Sequence, residues 1–403
     1  MASSKSTGAH ILVFPYPAQG HMIPLLDLTH QLSRHHAGIT ITVLITPKNL
    51  HILNPLLTKN RAIKTLILPF PDHPLIPTGI ENVKDLPANS FVAMMCAFHK
   101  LYDPIIQWFK SHPSPPVAII SDFFLGWTYH LACELGIPRI VFSPSGALAL
   151  AVIDSLWRRL PKTDDPDLLI SFPEIPNSPN YPCRHISPVY RSYIEGDPSW
   201  GIVINTFAEL ESSYLDYMIK KGYYDRVWAV GPGGSSLASY YRDLFSWIDT
   251  CPDNSVVVLR NEQMEGLAAG LECSGVRFLW CVKEPTSGYV GGEYGVIPHG
   301  FEDRMAGRGR VIKGWAPHAD QYANATLLVD QLKVAIRVCE GYGTVPDSVE
   351  LGRLVFDSMS ESRTERVRAI ELRKASTNVV KKGGSSFKDL DRMVRDLSGL
   401  SLN

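Results

Sequence analysis

The run His10-Ile11-Leu12-Val13-Phe14-Pro15, followed closely by Pro17-Ala18-Gln19-Gly20-His21-Met22-Ile23-Pro24, decides the fold. A short apolar stretch ends in a proline turn, and a helical pattern takes over near residue 23. This is a first strand feeding a first helix, the opening of a parallel sheet. The alternation then repeats. Strand-like runs at 40–45, 65–68, 117–121, 139–142, 201–207 and 227–230 are interleaved with helical stretches at 91–110 and 128–135. The second of these helices is closed by Gly136 and Pro138. Residues 154–198 are rich in proline and polar side chains and read as a surface excursion.

Gly231-Pro232-Gly233-Gly234-Ser235-Ser236 marks a linker. A second α/β region follows it, with strands expected at 255–259, 276–282, 310–315 and 334–338. Helices are expected at 262–272, 321–332 and across 361–397. A chain of 403 residues exceeds what one hydrophobic core usually organises. The expectation is therefore α/β with two Rossmann-like domains: residues 1–232, a linker at 233–246, and residues 247–403.

Composition narrows the functional classes. Hydrophobic residues make up 45% and charged residues 20%, with 39 basic and 40 acidic side chains well mixed and a net charge of −1. No basic stripe points to nucleic acid, and no apolar run reaches the length of a membrane span. The seven cysteines are odd in number and form no CxxC pair or zinc-like spacing. A reduced, cytoplasmic setting is expected, without a metal.

Two constellations carry chemistry. In an open parallel sheet, ligands bind beyond the carboxyl ends of the strands, where His21 falls. Gly20 lets the backbone pass close to a ligand there. Ser121-Asp122-Phe123-Phe124-Leu125-Gly126-Trp127 also follows a strand, so Asp122 emerges on the same edge. Its carboxylate can hold one imidazole nitrogen and fix the tautomer. Alternatively, Asp122 caps a helix that begins at Phe123. Phe123, Phe124 and Trp127 suit a flat aromatic ligand, and equally a plain core.

These segments, together with Val230-Gly231-Pro232, Trp247-Ile248-Asp249 and Gly314-Trp315-Ala316-Pro317, resemble the plant family 1 UDP-dependent glycosyltransferases, closest to the branch acting on flavonoids. The resemblance spans nearly the whole chain. It implies two Rossmann-like domains facing across a cleft (the GT-B type), with the acceptor in the first and the UDP-sugar in the second. It also implies that the last helix returns to the first domain. His21 is then the general base and Asp122 its partner. Phe14, Gly20, Phe123, Phe124, Trp127 and Ser143 line the acceptor site. Trp315, Ala316, His318, Asp320 and Gln321 serve the donor, with the terminal Gln pointing to glucose. No cofactor is implied, since the UDP-sugar is a co-substrate. A monomer with a small phenolic partner is expected.

The chain departs from this family in its second half. The signature box begins at Trp315-Ala316-Pro317 and passes through His318 straight to Ala319-Asp320-Gln321, so its middle is missing, including the helix N-terminus that would counter the pyrophosphate. Two similar junctions lie where Val258 meets Leu259 and where Pro198 meets Ser199. In each, both flanks match and the intervening block is absent. The second domain is therefore expected to be incomplete and to leave apolar faces uncovered. A catalytically impaired acceptor-binding or partner protein is the alternative reading. The coarse α/β pattern alone also permits a nucleotide-dependent oxidoreductase, but no G-x-G-x-x-G follows the first strand.

Overall fold

The computed structural model describes residues 8–35, 39–60, 62–86, 90–158, 165, 168–177, 180–182, 199–222, 224–232, 260–282, 296–313, 321–338 and 344–401. The chain divides into two compact units. One comprises Met1–Val83, Ala88–Leu237 and Ala375–Asn403; the other comprises Lys84–Pro87 and Ala238–Lys374.

The first unit is built on β1 (His10–Phe14), β2 (Thr40–Ile45), β3 (Ile63–Ile67), β4 (Ala118–Asp122), β5 (Arg139–Ser143), β8 (Gly201–Ile204) and β9 (Val227–Ala229). They form one seven-stranded sheet in the order β3-β2-β1-β4-β5-β8-β9. Every pairing is parallel. Two short strands, β6 (Leu169–Ser171) and β7 (Asn180–Pro182), pair antiparallel by themselves. The helices are α1 (Gln19–His35), α2 (Leu50–Lys59), α3 (Phe91–His99), α4 (Tyr102–Ser111), α5 (Thr128–Leu135), α6 (Ala147–Arg158) and α7 (Ala208–Lys221).

Strands covered on both faces read as unbroken apolar runs, and β1 is buried along its whole length. On one face Ile11, Val13, Ile41, Val43, Ile120, Ile140 and Phe142 pack against Met22, Leu25, Leu26 and Leu32 of α1. α5 ends on Gly136 at φ 67°, the left-handed position that a side chain disfavours.

Several boundaries differ from the sequence expectation, each for a local reason. The helix expected over 91–110 is two, α3 and α4, separated at Lys100-Leu101. Pro104 explains the break, because its ring would collide with the carbonyl four residues earlier in a continuous helix. α6 runs to Arg158, so residues 154–158 belong to a helix rather than to the surface excursion. Its last turn is held by the Arg158–Asp154 ion pair at 2.9 Å. α1 begins a turn earlier than the pattern suggested and takes in Gly20 and His21.

The second unit holds α8 (Asn261–Ser274), β10 (Phe278–Val282), α9 (Phe301–Arg304), β11 (Gly309–Lys313), α10 (Gln321–Thr326), α11 (Ser348–Ser358) and most of α12 (Thr364–Val379). Among the described residues its sheet is the single parallel pair β10–β11. Its core is small: Met264, Ala268, Leu271, Phe278, Trp280, Phe301 and Met305. α8 and α11 approach closely at Gly270, where an added Cβ would lie 2.5 Å from a Leu351 methyl carbon. Val349 and Phe356 of α11 are 73% and 64% exposed, an uncovered apolar face of the kind a shortened sheet leaves. No strand forms at 334–338, and α11 occupies a stretch the pattern left unassigned. The strand expected at 255–259 lies outside the described residues.

The last helix, α13 (Ser385–Ser398), belongs to the first unit. Leu390, Met393, Val394 and Leu397 enter the core beside α1 and the sheet. Its polar side chains cap the sheet edge. Asp389 accepts the Ala229 N–H at 2.8 Å, Arg392 donates to the Val227 carbonyl at 2.6 Å, and the Ser386 hydroxyl donates to the Gly231 carbonyl. Gly231 in turn lies too close to the Asn205–Thr206 backbone to admit a side chain. Gly231 and Pro232 are thus anchored to the sheet of the first unit; the linker at 233–246 lies outside the described residues.

Candidate active site

The strand order reverses direction between β1 and β4, which lie side by side with Phe14 opposite Ser121. Chains leaving two such neighbours depart to opposite sides and open a crevice at their carboxyl ends, the usual ligand position in this architecture. His21 stands in the first turn of α1, just past β1, and Asp122 is the last residue of β4.

Their side chains meet there. His21 Nδ1 lies 2.9 Å from Asp122 Oδ2, with the imidazole 15% exposed and the carboxylate fully buried. The second carboxylate oxygen, Oδ1, accepts the Phe124 N–H at 2.9 Å. Of the two readings left open by the sequence, the contact with the histidine forms on one oxygen. The helix cap does not, because no helix begins at Phe123 and the other oxygen closes a turn instead. That turn is 122–125, also closed by the Leu125 N–H to Asp122 carbonyl bond at 3.0 Å, while the helix itself starts only at Thr128. A buried carboxylate needs both partners, since leaving either oxygen bare would carry a desolvation penalty. It accepts from Nδ1–H and so fixes the tautomer in which Nε2 carries a lone pair. Nε2 has no protein partner among the described residues.

Aromatic rings hold the imidazole in place. Phe123 stacks on it at 5.5 Å and 17°, Phe124 packs at 4.7 Å, and Tyr16 meets it edge-on at 5.5 Å. Tyr16 was not singled out from the sequence. The available signal was an aromatic residue clamped between Pro15 and Pro17 at the carboxyl end of β1. Burial, and secondarily the Asp122 charge, push its phenol well above the usual value near 10.

The other expected acceptor residues sit nearby but in different company. Phe14 and Trp127 join a second aromatic group with Phe98, His99 and Tyr102, Phe14 meeting Trp127 at 5.8 Å and 80°. Ser143 is buried at the end of β5 and donates to the Ser145 carbonyl at 3.1 Å. Gly20 precedes His21 in α1. Of the expected donor residues, Trp315, Ala316, His318 and Asp320 lie outside the described residues, and Gln321 is the first residue of α10.

No protein-family model matches the chain. Among known proteins, UDP-glycosyltransferase 89B2 of Stevia rebaudiana is 49% identical over 471 positions, covering 98% of this chain and 99% of the relative. Flavonol 3-O-glucosyltransferase UGT89B1 of Arabidopsis thaliana is 45% identical, covering 100% and 98%. The crystal structure of Arabidopsis thaliana UGT89C1 superposes with a TM-score of 0.74 at 31% identity, covering 97% of this chain and 100% of that one. UGT89C1 has also been solved with UDP-L-rhamnose and with quercetin.

An alignment of 471 positions is longer than the 403 residues of this chain, so at least 68 of them, the difference, have no counterpart here. Because the match reaches nearly both ends of both proteins, that shortfall is internal, as the abrupt junctions led us to expect. Identity near one half from end to end, on the same α/β fold, decides the matter: the chain belongs to the plant UDP-glycosyltransferases.

Proposed function

We propose that the chain is an inverting glycosyltransferase that moves glucose from UDP-glucose to a hydroxyl of a flavonoid-like phenol. The observation that carries this reading is the 2.9 Å His21–Asp122 pair at the switch point of the sheet. Nε2 of His21 takes the proton of the acceptor hydroxyl, and Asp122 balances the imidazolium as it forms. The freed oxygen attacks the anomeric carbon from the face opposite UDP, the glycosidic bond to the diphosphate breaks, and the configuration inverts. The transition state resembles an oxocarbenium ion, as in glycoside hydrolysis.

The first unit is assigned to the acceptor, with Phe14, Gly20, Phe123, Phe124, Trp127 and Ser143 around it. The second is assigned to the donor, where Trp315 stacks on uracil and Asp320 and Gln321 bind sugar hydroxyls. The relatives' printed names and ligands support a flavonol-like acceptor and a UDP-sugar donor. We further assign a monomer in the cytosol. The exposed free thiols of Cys96, Cys133 and Cys273 suit a reducing compartment, and among the described residues no helix is long and apolar enough to cross a membrane.

The test is incubation of the purified chain with UDP-glucose and a flavonol panel, with products separated and identified by mass. A flavonol glucoside that disappears in His21→Gln is the expected result. Absence of any glycoside from the unmodified chain, with UDP failing to bind by calorimetry, would remove the transferase reading.

A further inference from the structure

Arg139 is the first residue of β5 and is only 5% exposed, yet it carries no carboxylate partner among the described residues. Its guanidinium instead donates from Nε to Ser121 Oγ at 3.0 Å, from Nη1 to Ser199 Oγ at 3.0 Å, and from Nη2 to the Leu125 carbonyl at 3.4 Å. A buried cation satisfied only by hydroxyls and a carbonyl is a poor device for stability. What it touches suggests another purpose.

The proton directions in this cluster can be worked out. The Thr128 hydroxyl has one hydrogen, and it lies 2.6 Å from the Leu125 carbonyl, which can only accept. In the 2.7 Å contact between Ser121 and Thr128, Ser121 must therefore be the donor. Ser121 in turn accepts from the Arg139 Nε–H. The result is one directed chain: Arg139 Nε–H to Ser121, Ser121 O–H to Thr128, Thr128 O–H to Leu125 C=O. A charge at its head polarises each bond along it.

Leu125 closes the 122–125 turn, and that turn positions the His21 partner. Its first residue is Asp122; Phe123 and Phe124 flank the imidazole. Ser121 and Asp122 are consecutive strand residues, so their side chains leave opposite faces of the sheet. The chain therefore grips from behind the turn whose front carries the carboxylate.

We propose that Arg139, Ser121 and Thr128 are positioning residues for the His21–Asp122 pair, fixing the turn that aims the carboxylate at Nδ1. The proposal rests on the transferase reading only for its kinetic readout. A displacement near one ångström at reacting groups lowers turnover on the order of a hundredfold.

Thr128→Val removes the hydroxyl with little change in size, and Thr128→Ser restores it. Two readouts are needed: kcat and acceptor KM, and the ¹⁵N imidazole spectrum of histidine-labelled protein, with His21 assigned by its loss in His21→Gln. Expected for Thr128→Val are a kcat lower by roughly ten- to a hundredfold at nearly unchanged KM, and replacement of the single Nδ1–H signature of His21 by a tautomer mixture. Thr128→Ser should return both. Ser121→Ala, a smaller change one bond earlier, should lower kcat and mix the tautomers likewise, and it stands in if Thr128→Val does not fold. A variant that loses only thermal stability, keeping wild-type kcat and the wild-type spectrum, overturns the proposal. If the unmodified chain makes no glycoside but its ¹⁵N signature is still lost in Thr128→Val, the transferase reading falls and the positioning role stands.

Discussion

Replacing Asp122 by Asn isolates the chemistry of the pair from its packing. Asn has the same shape, and its carbonyl oxygen can keep the 2.9 Å bond from the Phe124 N–H. The other end becomes an NH₂ group facing His21 Nδ1. Two donors cannot share that contact, so the imidazole must present the Nδ1 lone pair and carry its proton on Nε2. The atom assigned to receive the acceptor proton is then already protonated. General-base assistance is worth roughly 10²–10⁴ in rate, or about 2.7–5.5 kcal/mol of barrier. Asp122→Asn should therefore lower kcat by that factor while the protein stays folded. The assay is initial-rate glucoside formation at saturating UDP-glucose, compared with His21→Gln and with the double variant. Because the two side chains act as one unit, the double should be no worse than His21→Gln alone. Wild-type kcat in Asp122→Asn, or fully additive losses in the double, would refute the assignment.

Two further outcomes concern stability. Met393 of α13 is fully buried, so Met393→Ala should cost about 2–5 kcal/mol. Native-state hydrogen exchange should show lost protection in β1, β4 and β9 with β10 and β11 spared; a uniform loss across both units would contradict the assignment of α13 to the first. His10 bonds the Ser114 carbonyl and Thr42, and burial, opposed by the Ser114 bond and aided by His112 and Lys64, holds its pKa below 6.5. The unfolded chain then takes up a proton that the folded one refuses. Stability should be full above pH 6.5 and fall as the pH drops through that value towards the folded pKa. Urea midpoints between pH 7.5 and 5.5 should show a shallower decline in His10→Gln, and an unchanged slope would refute it.

The sequence was most legible where both faces of a strand are covered. β2 and α5 fall on their expected ranges, because an apolar run bounded by turn residues leaves few alternatives. The edge carrying His21 and Asp122 was legible for the same reason, since each follows such a run directly. Tyr16 was harder to see, as no periodicity marks a residue in a proline-bounded turn. The network behind Asp122 was hidden too: Arg139, Ser121 and Thr128 lie on separate elements, and only the register of β4 with β5 brings them together. In the second unit, residues 334–338 have a strand-like composition, but β propensity produces a strand only where a neighbour is available to pair. α11 carries Leu351, Leu354 and Val355 at helical spacing, but two further apolar residues on it blur that face. Val349 and Phe356 remain exposed, so their pattern does not trace a packed face.

The hydrogen bond from Ser386 to the Gly231 carbonyl joins two stretches of the first unit that flank the second unit in sequence. In topological terms residues 238–374 are an insertion into the first unit, and this bond ties the host together on either side of it in sequence. Insertions of this kind succeed where entry and exit points are close, because the host then does not sense the length in between. The host sheet can be finished by α13 whatever the length of the excursion between these two points. A change of length in the second unit is thereby kept from propagating into the crevice that holds His21.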